Sequence, residues 1–422
     1  MFAVAGSLRD DRTRTMKYAL AAFLFIAALP MGAATIRNDD SCDISVAPAA
    51  TLLLPYFEAD LEADRAHALD TMFTIANVSH ATRIAHVTLW TDLAYPIYAF
   101  DLVLTPYDVQ AISMRDLLQT GSIARPAPGP RTPSSCLELP SSIPPQALAV
   151  VRAALTHGII DHCSNEAIGL EHSFAIGYAT IDVVGACTSR LPAEPSYYTE
   201  DLRFDNVLIG DWVMLSPNPV TGNYAAGSPL VHIRAIPAGF PAGAPTHLPR
   251  TFYEIHTPES TPHIDRRQPL PAAFAARYIE GGASGFDSQF IVWRQSTAGR
   301  SPTCAQYRKN DAETQEVVRF DSRENAFIRL FWGGCTCPLP SWKQPITSRT
   351  KSSNTSVYPA LTSGDTSGWM YINATEPTTT PQTWVVATMF AEGRFSVAFD
   401  AVALGNGCSA RPDLPATIGP AQ

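Results

Sequence analysis

Ala85-His86-Val87-Thr88-Leu89-Trp90 and Tyr98-Ala99-Phe100-Asp101-Leu102-Val103-Leu104 read as two β-strands. In the first, Ala85, Val87 and Leu89 share a face opposite His86, Thr88 and Trp90. In the second, Tyr98, Phe100, Leu102 and Leu104 oppose Ala99, Asp101 and Val103. Alternation with period two puts one set of side chains inside and the other outside, which is the pattern of a half-buried strand. An amphipathic helix would instead repeat its apolar residues three and four apart.

The same rhythm spreads outward in both directions. Phe73 and Ile75 alternate with Thr74 and Ala76 in Met72–Asn77. Further strands are expected at His172–Val184, Asn206–Leu215, Phe252–His256, Gln289–Trp293, Glu316–Phe320 and Ala326–Trp332. The last group is Met370–Asn373, Thr383–Phe390 and Phe395–Leu404. Helices are few. Gln146–His157 has Pro144 and Pro145 before it and Gly158 after it, as helix punctuation requires. Pro271–Ile279 is a shorter candidate. Pro-rich loops cover Ala124–Pro145 and Ile236–Pro249, and a polar stretch covers Thr347–Pro381 apart from Gly368–Asn373. The expected fold is mainly β: antiparallel β-sandwiches with a few short helices and Pro-rich loops.

An internal echo accompanies this pattern. A strand ending in Asn77, one through Val87 to Thr91, and Ala99-Phe100-Asp101 recur as a strand ending in Asn373, one through Trp384 to Phe390, and Ala398-Phe399-Asp400. The offset stays near 300 residues. Two related modules would explain it; so would the general likeness of short β meanders. The expected organisation is an N-terminal extension with signal peptide (1–34), an N-terminal β module (35–120), a central β-rich region with a helical insert (121–300), and a C-terminal β module with a polar tail (301–422).

Export is the clearest expectation. Met16-Lys17-Tyr18 supplies a basic start, Ala19–Leu29 an apolar core, and Gly32-Ala33-Ala34 a cleavage site before Thr35. The core falls short of the roughly 20 apolar residues a spanning helix needs. Asp10 and Asp11 do not suit a basic leader, so translation is expected to start at Met16. No later stretch is long and apolar enough to span a membrane, so the mature chain is expected to carry no transmembrane segment. It is expected to be periplasmic or extracellular.

Composition narrows the partners. Hydrophobic residues are 46% and charged residues only 16%, which suits a packed core under a Ser, Thr, Asn and Pro surface. The net charge of −9 argues against nucleic acid, whose phosphates call for basic patches. Only Lys17, Lys309, Lys343 and Lys351 are lysines, a bias typical of GC-rich bacterial genomes. All eight cysteines follow the leader: Cys42, Cys136, Cys163, Cys187, Cys304, Cys335, Cys337 and Cys408. In an exported chain they read as up to four disulfides. Spacing suggests a group of Cys136, Cys163 and Cys187 and another of Cys304, Cys335, Cys337 and Cys408, with Cys42 joining either. Cys335-Thr336-Cys337 does not have the usual spacing of a zinc pair.

FTIANVS from Phe73, the run Ala85–Leu118, Asn206–Pro219 and Ser228–Ala235 together resemble a group of exported bacterial proteins of unassigned function. The FTIAN, HVTLW and FDLVL rhythm is also similar to Ig-like accessory modules. The resemblance implies export and a β-rich fold, and it brings no catalytic residues.

The residues point to no specific chemistry. There is no nucleophile elbow, HExxH helix, P-loop, EF-hand or dinucleotide fingerprint. Three clusters deserve a place. His157, Asp161, His162, Glu166, Glu171 and His172 crowd Cys163, as metal ligands or as a polar loop after a helix. Glu58, Asp60, Glu62 and Asp64 alternate, as calcium ligands or as a solvated strand edge. Glu254, His256, His263 and Asp265 flank a loop ending in Arg266-Arg267, as acid–base groups or as surface. In each the bland reading is preferred, so no catalytic, metal or cofactor-binding residue is assigned and no cofactor is expected. Of Trp90, Trp212, Trp293, Trp332, Trp342, Trp369 and Trp384, most are expected in the core, with a sugar-stacking platform as the rival. The expected function is a non-enzymatic binding or structural role at the cell envelope or outside the cell. The alternative is a secreted hydrolase of glycans or another extracellular polymer.

Overall fold

A computed structural model gives the fold of residues 47–123, 131–160, 167–192, 194, 196–216, 224–235, 265–282, 285–295, 316–330, 346–361, 366–373, 382–391 and 395–404. The chain first forms β1 (Thr51–Ala59), β2 (Asp70–Asn77), β3 (Arg83–Thr91), β4 (Pro96–Leu104), β5 (Val109–Ser113), helix α1 (Met114–Thr120), helix α2 (Pro145–Thr156), β6 (Ala175–Val184), β7 (Leu208–Ser216), β8 (Tyr224–Pro229) and β9 (Val231–Ile233). It then forms β10 (Ala273–Ile279), β11 (Phe286–Arg294), β12 (Glu316–Phe320), β13 (Ala326–Leu330), β14 (Thr347–Lys351), β15 (Ser367–Asn373), β16 (Thr383–Ala391), β17 (Phe395–Asp400) and β18 (Val402–Ala403). The fold is mainly β, with antiparallel sheets and a few short helices, as the alternation requires.

Each set of strands makes two sheets. The first set gives β4-β3-β6-β1-β9 and β5-β2-β7-β8; the second gives β13-β12-β15-β10-β18 and β14-β11-β16-β17. Adding nine to every strand number of the first pair reproduces the second pair in the same order. β1 lies across β2 and β7, and β10 lies across β11 and β16, so each half is its own sandwich.

Register strengthens the equivalence. Leu52 reaches the facing sheet beside Gly210, and Phe274 meets the Trp384 ring edge to face at 5.5 Å. Leu52 pairs with Ile181, and Phe274 pairs with Ile372. Counting back from those two isoleucines sets Gly177-Tyr178 of β6 against Gly368-Trp369 of β15. A Cβ at Gly177 would collide with the Trp90 carbonyl oxygen, and one at Gly368 with the Phe320 carbonyl oxygen. Both halves therefore need glycine where two backbones approach closely.

The sequence echo at about 300 residues set β2 against β15, β3 against β16 and β4 against β17. The strand order instead matches β2 with β11, β6 with β15 and β7 with β16. Alternation recurs in every strand, so it cannot say which strand corresponds to which. The two halves meet through side chains and through the Ile346 N–H, which donates to the Asp92 carbonyl at 2.6 Å. Trp293 packs edge-on at 5.9 Å against Tyr178, itself stacked on Trp90. Arg349 of β14 pairs with Glu58 of β1 at 2.5 Å, and Ser228 of β8 donates to Asp400 of β17 at 3.1 Å.

Three expectations need correction. Pro271–Ile279 is not a helix: β10 starts at Ala273, its Phe274, Ala276 and Tyr278 are buried on one face, and it pairs with β15 and β18. The polar stretch from Thr347 contains β14, which pairs with β11. Glu58 is no solvated edge, because β1 is an interior strand between β6 and β9 and all nine of its residues are buried. The expected helix near 146–157 is α2, starting on Pro145 and laying Leu148, Val151 and Leu155 inward. α1 was not foreseen; Ser113 caps it by accepting from the Asp116 N–H, and Gly121 ends it at φ 74°. The Phe252–His256 strand lies outside the described residues. Among the described residues, no helix is long and apolar enough to cross a membrane.

Candidate functional site

β4 is the end strand of its sheet, and among the described residues it pairs with β3 alone. A cleft of about 390 Å³ is lined by Ile97, Tyr98, Ala99, Phe100 and Asp101 in succession. Neighbouring strand residues point to opposite faces, so a cleft touching five in a row follows the strand's edge. One wall is Ser135, Leu139 and Pro140; the other is Cys187, Thr188, Ser189 and Leu191.

Both walls are tied down. The Cys136–Cys187 disulfide joins them, and the Cys187 N–H donates to Ser135 Oγ at 3.1 Å. The Thr188 N–H donates to Asp101 Oδ2 at 2.7 Å, and Thr188 Oγ1 donates to Asp201. Arg190 adds ion pairs to Glu200 and Asp201. The disulfide thus ties the two lining segments to each other beside β4. Cys163 and the other five cysteines lie outside the described residues.

Beneath the cleft runs a buried polar row across four strands. Asp101 of β4 faces His86 of β3, which faces Asp182 of β6, which faces Thr51 of β1. His86 Nδ1 meets Asp101 Oδ1 at 2.7 Å, and His86 Nε2 has no partner among the described residues. Asp182 accepts from Thr51 Oγ1, from the Tyr197 hydroxyl and from Arg267 Nη1 at 2.8 Å. Arg267 is fully buried and forks onto Asp265 through Nε and Nη2. A buried charge persists only when paired and hydrogen-bonded, and this row meets that condition. Nearby, His232 Nε2 accepts from the Gly210 N–H, and burial holds its pKa down at about 4.

The clusters singled out in the sequence take other places. His172 bonds Asp92 at 3.0 Å, whereas His157 and Glu171 are exposed; Asp161, His162 and Glu166 lie outside the described residues. Glu58 turns inward to Tyr56 and Arg349, and the Tyr56 hydroxyl is pushed well up in pKa, first by burial and then by that carboxylate. Asp60 and Asp64 cap the following turns by accepting from the Glu62 and Ala66 N–H groups. Asp265 belongs to the Arg267 pair, and Arg266 stacks over Phe204 at 4.7 Å; Glu254, His256 and His263 lie outside the described residues. Among the described residues, no three His, Cys, Asp or Glu side chains gather as a metal site would need. Trp90, Trp212, Trp293 and Trp384 are core residues, while Trp369 is partly exposed beneath Arg277. Trp332 and Trp342 lie outside the described residues.

Sequence reasoning quoted the β4 stretch but did not single out its edge. The available signal was Pro96 at the strand's start, since proline inside sheets favours edges and first positions. No known protein family, curated protein or solved structure matches this chain.

Proposed function

We propose that this is an exported, non-enzymatic β-sandwich protein that acts by binding a partner at the cell envelope or outside the cell. The observation that carries the reading is the walled cleft along the edge of β4. A free strand edge offers unpaired backbone donors and acceptors, and proteins normally cover or distort such edges. Among the described residues β4 pairs with β3 alone, and the cleft beside it is lined by Ser135, Leu139 and Pro140 and by Cys187, Thr188, Ser189 and Leu191. The Cys136–Cys187 bond suits an oxidising compartment, in keeping with the leader-like segment Met16–Ala34. The carboxylates the fold draws inside serve cations or backbone donors, as Glu58, Asp101 and Asp182 do.

The test is a photo-crosslinking side chain at Ser189, on the cleft's exposed rim, in the producing cell. The expected result is a discrete adduct from Ser189 that is missing from the same probe at exposed Ser353. Equal labelling from both positions, or none from Ser189, contradicts the reading.

A further inference from the structure

We infer that the Cys136–Cys187 bond is a thiol–disulfide exchange site, opened by a dithiol that attacks Cys187 and expels Cys136. The two sulfurs sit in different surroundings. Cys187 is partly exposed and lines the cleft, whereas Cys136 is 3% exposed and belongs to the hydrophobic core. An attacking thiolate therefore reaches Cys187, and the electron pair of the broken bond leaves on Cys136. A thiolate leaving into apolar surroundings needs a donor, because burial disfavours its charge. Ser135 supplies one. The Cys187 N–H donates to Ser135 Oγ at 3.1 Å, and Ser135 Oγ lies 3.6 Å from Cys136 Sγ. A disulfide sulfur carries no hydrogen, so the hydroxyl is the donor in that contact and the sulfur the acceptor. The hydroxyl thus already points at the atom on which charge develops, and the N–H of the other cysteine holds it there.

The exchange balances with the dithiol as co-reactant. Its first thiolate bonds to Cys187 Sγ as the bond to Cys136 breaks, leaving the Cys136 thiolate against the Ser135 hydroxyl. Its second thiolate attacks the mixed disulfide and releases Cys187. The two cysteines take up the two protons that the dithiol loses; the protein gains two electrons, and the dithiol departs as a cyclic disulfide. The segment around Cys187 keeps its other anchors through these steps. The Thr188 N–H donates to Asp101, and Arg190 pairs with Glu200 and Asp201. What opens is the covalent tie between that segment and residues 135–140, which supply the remaining loop residues of the cleft lining.

The probe is dithiothreitol acting on the oxidised full chain, read by alkylation of Cys136 and Cys187 and peptide mass mapping. The bond is expected to open at least about tenfold faster than the chain unfolds in the same buffer. With the monothiol 2-mercaptoethanol and iodoacetamide together, the expected intermediate carries mercaptoethanol on Cys187 and the alkyl group on Cys136. Ser135→Ala is expected to slow opening roughly threefold or more, and Ser135→Thr, which keeps the hydroxyl, to restore most of the rate. In the reduced chain, the pH midpoint for alkylating Cys136 is expected to be higher in Ser135→Ala than in the wild type. A serine that only braces the two segments gives the opposite sign, since losing its bond to the Cys187 N–H loosens the site and speeds opening. Unchanged or faster opening in Ser135→Ala therefore overturns the proposal. So does opening no faster than unfolding, or mercaptoethanol found on Cys136 with Cys187 alkylated. None of these readouts involves a partner, so the exchange site and the binding role stand or fall separately.

Discussion

The two halves share one strand order and use the same sheet differently. In the first, the row through Thr51, Asp182, His86 and Asp101 is polar and buried, and Arg267 closes it. The equivalent row of the second half reads Ala273, Asn373, Glu316 and Leu330. Between β5 and β6 the first half inserts residues 114–174, with both helices and one wall of the cleft; between β14 and β15 the second has only 352–366. Both end the sheet in an equivalent edge strand, β4 or β13. The strand order and the closely approached glycines are thus common to both halves. The insertion and the disulfide give one of the two edges a lined cleft, with the buried polar row beside it.

The largest effect should come from the polar row. Arg267→Met leaves Asp182 and Asp265 buried without their cation and should cost about 3–5 kcal/mol in denaturant unfolding. Arg319→Met in the second half frees Glu280, which is partly exposed, and should cost clearly less. Equal losses would break the contrast between the fully buried ion pairs of the first half and the partly exposed Arg319–Glu280 pair of the second.

The next is a pH effect confined to the first half, because no histidine follows His263. Folding lowers the His232 pKa from 6.5 to about 4, so the unfolded chain binds more protons between those values. Its contribution is complete above pH 6.5 and is lost as pH falls toward 4, by about 3 kcal/mol in all. Unfolding of the wild type and His232→Gln at pH 7 and pH 4.5 measures it; an identical pH dependence in both would contradict the assignment.

Removing the stay between the walls comes third. Cys136→Ala with Cys187→Ala opens a loop with a sequence separation of 51 and should cost about 2–4 kcal/mol. Crosslinking from Ser189 should fall further than stability alone accounts for, since the two segments lining the cleft lose their covalent tie. The smallest effect tests the duplication itself. Gly177→Ala and Gly368→Ala should each cost about 1–3 kcal/mol, because each Cβ meets a neighbouring carbonyl. Loss at only one of them would mean the register equivalence is wrong.

Period-two reading found β2, whose half-buried and buried residues alternate, and also β3, which turned out to be buried on both faces because His86, Thr88 and Trp90 are enclosed as well. It missed β1, whose Leu52-Leu53-Leu54 run is buried on both faces and so does not alternate. It misread β10 because alanines hide the alternation of Phe274, Ala276 and Tyr278. The duplication was legible as a rhythm but not as a residue match, since the informative Gly177 and Gly368 carry no side chain to alternate. Of the site, the disulfide partners were in the right local group, Cys136 with Cys187. The cleft itself depends on which strand ends the sheet, and strand order is fixed by long-range pairing that no local pattern records.

Amide hydrogen exchange tests the central claim most directly, because it compares the two equivalent edges in one experiment. With the partner crosslinked at Ser189, protection should rise along the cleft-lining residues Ile97–Asp101 and stay unchanged at Ala326–Leu330. Protection that rises equally on both edges, or on neither while the adduct is present, would contradict binding at the β4 cleft.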